Sequence, residues 1–277
     1  MNKIHRYAVV LVLVFGFSLS TSFLASAQQV GHLDYKMGRK SIVSVTNTYG
    51  PITVEGADAK DVQVVYTSYA KSVTFDNQRH GNRVSLVSLS DHSGDNLAEY
   101  TVLVPSHAWL TLFAGGPIHV TGLAGDITIQ TMNHPVEIKN ITGAYIHVKT
   151  LDGSVTLTAV RNSHVNIQSI NGSINISDAP GSWVEASSTG GRITYEGDPG
   201  VDGDFHLTSH SGDVDASIPA SALVEIQTNG VSDQNSENLP ETLRRNRLFL
   251  SPRTISKARF ELRSFMGKVR LKRPDLH

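Results

Sequence analysis

The chain has 277 residues, with 24 Lys and Arg against 25 Asp and Glu, and no cysteine. That composition excludes a disulfide framework, a thiolate metal site and a lipid-modified N-terminal cysteine. The near-neutral total hides a polarity: residues 28–243 carry about 11 basic against 23 acidic side chains, and residues 244–277 about 11 against 2. An acidic body without basic residues interleaved with aromatics speaks against nucleic-acid binding.

In chain order, residues 1–27 come first. Lys3 and Arg6 precede an apolar run from Ala8 to Phe17, and a Ser-rich stretch ends in Ala25-Ser26-Ala27. This is the order of a secretory signal peptide cleaved after Ala27. Its apolar core of about ten residues falls short of the ~20 that span a bilayer. No later stretch is long enough either, so no transmembrane span is expected after signal removal. The mature chain is expected in the periplasm, at the cell surface or outside the cell.

Residues 28–116 read as β without a tight period. Strands are expected at Ser41 to Val45, Ile52 to Glu55, Val62 to Thr67, Val84 to Leu89, Glu99 to Val104 and Trp109 to Phe113. We read them as irregular opening coils and a cap, because an open solenoid end is an unpaired strand edge.

Residues 117–230 repeat a unit of about 19 residues holding two short apolar–polar–apolar segments. One series runs from Ile118-His119-Val120 through Val136-Glu137-Ile138, Val155-Thr156-Leu157, Ile174-Asn175-Ile176 and Ile193-Thr194-Tyr195 to Val214-Asp215-Ala216. The other runs from Ile127-Thr128-Ile129 through Ile146-His147-Val148, Val165-Asn166-Ile167, Val184-Glu185-Ala186 and Phe205-His206-Leu207 to Val224-Glu225-Ile226. Each segment has the period-2 signature of a strand with one buried face. Turn glycines recur at Gly153, Gly172, Gly191, Gly212 and Gly230, where a positive φ is expected, and Asp152 and Asn171 suit the same turns. Residues 231–257 form a polar insertion in which Pro240 to Arg245 could make a helical turn. Residues 258–277 are a final coil and a basic tail, with Phe260-Glu261-Leu262, a turn at Met266-Gly267, and Val269-Arg270-Leu271. The outward Arg259, Arg263, Lys268 and Arg270 read as charges that blunt a terminal edge, or as a docking surface for an acidic polymer.

The expected fold is therefore all-β: a single elongated parallel β-solenoid, β-helix-like, with about 19 residues and two short strands per coil. Two strands per unit favour a flattened cross-section of two sheets over a three-sided one.

The run Tyr100-Thr101-Val102-Leu103-Val104-Pro105, then Trp109-Leu110, then Gly116 to Ile127, and the serial turns at Asn171 to Ile174 and Ser211 to Val214 carry a resemblance. From about residue 41 to 271 the chain resembles the DUF4097 family of bacterial β-strand-repeat proteins, whose members are often called candidate adhesins. The resemblance implies an envelope-exposed solenoid and no particular activity. His134-Pro135 departs from the family pattern where a turn glycine is expected.

No catalytic residue, resident metal or cofactor is expected. The function expected is a non-catalytic, exported, adhesin-like binding or scaffold module of the cell envelope. Its partner would be an envelope polysaccharide or another envelope protein. The candidate binding residues form one outward ladder: Thr128, His147, Asn166, Glu185, His206 and Glu225. Glu185 and His206 are expected one coil apart, close enough to bond. The alternative is a carbohydrate-active β-helix enzyme, a polysaccharide lyase or hydrolase, using Asp213 and Asp215 on one strand. A third candidate is the acidic loop from Glu196 to Asp204, whose Asp198, Asp202 and Asp204 could offer oxygen ligands to calcium. Oligomeric state is not legible in the sequence.

Overall fold

The structure is a computed structural model, and it describes residues 28–38, 40–90, 97–232 and 257–274. The proposed signal peptide and the expected helical turn at Pro240 to Arg245 lie outside these residues. The described residues form β-strands and turns without helix.

The regular coils each contribute one strand to each of two parallel ladders. The first ladder stacks β8 (Trp109–Ala114), β10 (Ile127–Thr131), β12 (Tyr145–Thr150), β14 (His164–Ser169), β16 (Trp183–Ser188) and β18 (Asp204–Ser209). The second stacks β9 (Ile118–Thr121), β11 (Val136–Thr142), β13 (Val155–Arg161), β15 (Ile174–Ser177), β17 (Ile193–Glu196) and β19 (Val214–Ser217). Partners such as Ile146, Val165 and Val184 lie 19 residues apart, while Val184 and Phe205 lie 21 apart. The two extra residues fall in the loop before β18.

Alternation sends every second side chain inward. Ile127, Ile146, Val165, Val184 and Phe205 line the first ladder's inner face, and Ile118, Val136, Val155, Ile174, Ile193 and Val214 the second's; all are buried. β-branched residues predominate in both columns and fit a pleated, buried surface.

The cross-section differs from the flattened one expected. After the second strand four successive coils make a short third side between two left-handed residues, such as Ala159 (φ 55°) and Asn162 (φ 48°), or Asp178 (φ 54°) and Gly181 (φ 65°). This side has its own coil-to-coil hydrogen bonds, from Val160 N to Asp178 O and from Asn162 N to Pro180 O, each 3.0 Å. It also has its own inward column, Leu123, Ile141, Val160 and Ala179. The sequence reading missed it because two residues between corners are too few to show a period.

Turn glycines 153, 172, 191 and 212 do not have positive φ, contrary to expectation. They are small because the coils stack closely there. A Cβ on Gly172 would lie 2.0 Å from the Gly153 carbonyl oxygen, and one on Gly191 2.1 Å from that of Gly172. Three residues before each glycine an inward hydroxyl completes the joint. Ser188 Oγ accepts from Gly191 N–H at 2.9 Å, and Ser209 Oγ accepts from Gly212 N–H at 2.9 Å while donating to Gly191 O at 2.9 Å. On the outside, Asn171 Nδ2 donates to Asp152 Oδ1 of the preceding coil at 2.7 Å.

At both ends, order along the chain departs from order in space. β2 (Ile42–Asn47) and β3 (Ile52–Ala57) pair with β8 and β9 on one side. On the other side they pair with β6 (Arg83–Ser90) and β7 (Ala98–Pro105), so a later coil lies outside the first. Antiparallel strands then cover that end: β5 (Val73–His80) on β6, and β4 (Asp61–Ser68) on β7 with β1 (Gln29–Lys36) beyond it. β1 and β5 are polar edge strands with weak alternation, which is why no strand was expected there.

The last strand, β21 (Ala258–Lys272), spans both ladders, pairing with β18 through Arg259 to Ser264 and with β19 through Val269 to Lys272. β20 (Val224–Ser232) pairs with the far side of β21. On the first ladder the coil that comes last in the sequence is therefore inserted, not terminal, and Arg259 and Arg263 do not blunt an edge. Two site expectations change with it. Gly230 lies inside β20 at a register shift between Asn229 and Val231. The glycine stacked on Gly212 is Gly267, whose Cβ would lie 2.4 Å from Gly212 O.

Two substitutions test these joints. Gly172→Ala should destabilise the fold by ~3 kcal/mol, through a forced backbone separation. For a domain of this size that is a fall in Tm of roughly 6–12 °C. Ala159→Gly relieves a left-handed Cβ and should stabilise by ~0.5–1 kcal/mol. Thermal melts giving Gly172→Ala a wild-type Tm would refute the stacking role.

Candidate binding face

The outward ladder on the first sheet is present in part. Register places Thr128 beside His147, His147 beside Asn166, Asn166 beside Glu185 and Glu185 beside His206. Asn166 Nδ2 donates to Glu185 Oε2 at 2.8 Å. Beyond His206 the row continues to Glu261 and Gln227, because β21 occupies the next position. Glu225 is therefore not in the row; it lies opposite Arg259, two coils from β18. The expected Glu185–His206 bond is replaced as well. His206 Nδ1 lies 2.9 Å from Glu261 Oε2, and its Nε2 lies 3.1 Å from Asp204 Oδ1. Arg263 pairs with the same Glu261 carboxylate.

The row itself carries no aromatic ring, but the column beside it does. One column over, at the first residue of successive strands, stand Tyr145, His164 and Trp183. Tyr145 and His164 stack with ring centroids 5.3 Å apart, and His164 and Trp183 lie 3.9 Å apart. Trp183 approaches His206 of the polar ladder at 6.2 Å. Trp109 stands at the head of the column, aligned with Ile42 on one side and through Leu110 with Asp126 on the other. Tyr145 is 64% exposed and Trp109 51%. These residues each precede the first apolar residue of a segment, so a search centred on apolar–polar–apolar triplets passes over them. Their spacing of 19 residues was the available signal.

On the second sheet several charges close into clusters. His119 and Lys139 bracket Glu137, whose carboxyl is held below the usual glutamate range by Lys139 first and His119 second. Asp213 and Asp215, the pair considered for catalysis, are clamped between two guanidinium groups. Arg270 Nη1 lies 2.8 Å from Asp213 Oδ2 and 3.0 Å from Asp215 Oδ1, and Arg192 reaches the same two carboxylates at 3.2 and 3.6 Å. The Lys268 backbone N–H, then the Arg270 side chain, hold the Asp213 carboxyl below the usual aspartate range. A glycosidase acid requires the opposite shift. The basic end of the chain thus meets part of its acidic body within the fold.

In the acidic loop, Asp198 Oδ1 accepts from Gly200 N–H at 2.9 Å, Asp202 has φ 62°, and Asp204 opens β18 beside His206. Among the described residues no three His, Asp or Glu side chains are placed to hold a metal ion.

Fold and face together define a parallel β-solenoid with one aromatic-lined side. The chain belongs to the Toastrack DUF4097 family, whose sequence profile matches residues 42–271. Among solved structures it is similar to a candidate adhesin from Bacteroides fragilis, at 13% identity and TM-score 0.48, covering 88% of this chain and 97% of that one. A candidate adhesin from Parabacteroides merdae is similar at 10% identity and TM-score 0.42, covering 90% and 97%. A candidate lipid-binding protein from Parabacteroides distasonis is similar at 8% identity and TM-score 0.31, covering 88% and 96%. No curated protein matches the sequence.

The clamp makes a pH prediction. Because the Asp213 pKa is lowered in the fold, the folded chain binds this proton less readily than the unfolded chain. The resulting stability is complete above the unfolded aspartate pKa and is lost as pH falls through the lower folded value. Between about pH 4 and pH 2, Asp213→Asn should therefore show a shallower fall in Tm than the wild type. Parallel slopes in the two proteins would refute the coupling.

Proposed function

We propose that this protein is a non-catalytic, adhesin-like binding module of the bacterial cell envelope, which holds an extended envelope polymer against its first sheet. The observation that carries the reading is the stacked column Tyr145, His164 and Trp183 beside the polar row of Thr128, His147 and Asn166. Exposed aromatic rings supply apolar contact area together with polar tips, a pairing that favours binding surfaces. Both columns repeat at the strand spacing of ~4.8 Å, so the face presents a straight, periodic track to a linear chain.

Export is part of the proposal and is supported by the order of charge, apolar core and small residues before Gln28. Among the described residues no helix is long and apolar enough to cross a membrane. The non-catalytic reading is supported by the Asp213–Asp215 pair, the carboxylates considered for glycoside hydrolysis, being held in ion pairs with Arg270.

Three results test this. The protein recovered from the envelope fraction should begin at Gln28 by intact mass; a chain retaining Met1 there would contradict export by cleavage. It should pellet saturably with envelope fragments of its host, and Tyr145→Ala with Trp183→Ala should weaken that binding at least about tenfold, ~1.4 kcal/mol. No sugar should be released into the supernatant. Release at a protein-dependent rate that Asp213→Asn with Asp215→Asn abolishes would restore the enzymatic reading.

A further inference from the structure

The head of the aromatic column differs from the rest. From Tyr145 onward the rings fill consecutive coils and lean on one another. Before Tyr145 the column skips a coil. Leu110 aligns with Ile127 and Ile127 with Ile146, so the residues one position earlier, Trp109, Asp126 and Tyr145, occupy three successive coils in one line. Leu110 N–H donates to Asp126 O at 2.8 Å, which fixes the middle residue against the first coil.

Two coil spacings separate the backbone positions of Trp109 and Tyr145 by ~9.6 Å. Their rings make no contact of the kind Tyr145 makes with His164. Two outward rings on strands at that spacing leave room for one cation between them, where attraction extends to ~6 Å from a ring centroid. The residue at that level is a carboxylate, and among the described residues Asp126 has no ion pair and no side-chain hydrogen bond. Asp204, farther along the same column, is by contrast paired with His206. Trp109 and Tyr145 are both more than half exposed, so their rings are open to a ligand. One carboxylate between two rings cannot provide the three or more ligands a metal ion takes, and it repels anions.

We propose that Trp109, Asp126 and Tyr145 form a slot for an ammonium group, and that the group is the free amine of an amino sugar within a polysaccharide. The neighbouring column favours a sugar chain as the source. Thr111 and Thr128 stand beside the slot, and the row continues through His147, so hydroxyl-bonding groups extend from the cation position along the polymer's path. His107 is exposed on the preceding corner and is the titratable side chain nearest the slot along the chain before Trp109. The inference rests on the binding reading above and adds the chemical class of the ligand.

The test is calorimetric titration of the full mature protein with glucosamine hexamer and, separately, with its fully N-acetylated form. The amine form should bind, and the acetylated form should bind at least tenfold more weakly. Asp126→Asn, Trp109→Ala and Tyr145→Ala should each reduce amine binding at least tenfold, with Asp126→Glu retaining part of it. Circular dichroism melts should be unchanged for Asp126→Asn, whose side chain holds nothing in the fold. Equal binding of the two hexamers, or no binding of the amine form, would overturn the slot. So would binding to phosphatidylcholine vesicles that Asp126→Asn abolishes while glucosamine hexamer stays unbound, since the ammonium would then come from a lipid headgroup. The two readings fail separately. If Asp126→Asn pellets normally with envelope fragments, the slot falls and the binding module stands. If the wild type does not pellet at all, the module falls while the hexamer titration still decides the slot.

Discussion

The closest approach between coils, at the glycine turns, is the constraint on which the rest of the solenoid depends. Parallel ladders require coils to stack at ~4.8 Å, and every atom at a corner must respect that spacing. At the turn, the carbonyl of one glycine sits where the Cβ of the next would be, so the position admits no side chain. The hydroxyl three residues earlier then takes the turn N–H and bonds to the preceding coil, as Ser209 and Ser264 do. A buried N–H left unbonded would cost ~1–3 kcal/mol, so the small residue and the hydroxyl form one unit. Thr150 with Gly153 and Ser188 with Gly191 repeat it, while Ser169 Oγ instead donates to the Gly172 carbonyl.

The same rigidity positions the outward columns. With the turn geometry held coil after coil, a residue at a given offset from its glycine emerges at the same height on the same side. Tyr145, His164 and Trp183 stack because they share an offset, not because any local contact selects them. A binding track on such a scaffold can be altered residue by residue without disturbing the core, since inward and outward positions alternate strictly. The lengthened coil before β18 shows the tolerance: its extra residues enter a loop, and the ladders on either side keep register.

Much of the regular region was legible from sequence. The 19-residue period, the inward triplets and the recurring glycines each reflect a local requirement met once per coil. The expected strands in residues 28–116 were also found, because alternation reveals a strand whichever partner it takes. Which coil neighbours which was not legible at the ends. Nothing in Phe260-Glu261-Leu262 says that it slides between β18 and β20, since an inserted coil and a terminal coil share one inward pattern. That single ambiguity misplaced Glu225 and Gly230 and made ion-pairing arginines look like edge charges. The glycine error was of another kind. Recurrence shows that a side chain is forbidden, and both positive φ and close approach forbid it; only coordinates distinguish them.

The insertion of β21 also gives the uneven charge distribution a physical reason. β19 offers Asp213 and Asp215 on its outer face, and an acidic pair of this kind would repel itself if left beside a neutral coil. Arg270 from the inserted strand and Arg192 from the preceding coil neutralise it from both sides. On the other ladder His206 and Arg263 meet Glu261. Opposite charges opposed across one register favour that register over a slipped one, since a shift by one residue would turn Arg270 inward and leave the aspartates unmatched. Part of the basic character of the chain's end thereby helps to specify where that end docks. Trp109, Asp126, Tyr145, His164 and Trp183, on the middle coils of the other sheet, lie outside these pairings, which leaves that face as the part of the solenoid whose chemistry is directed outward.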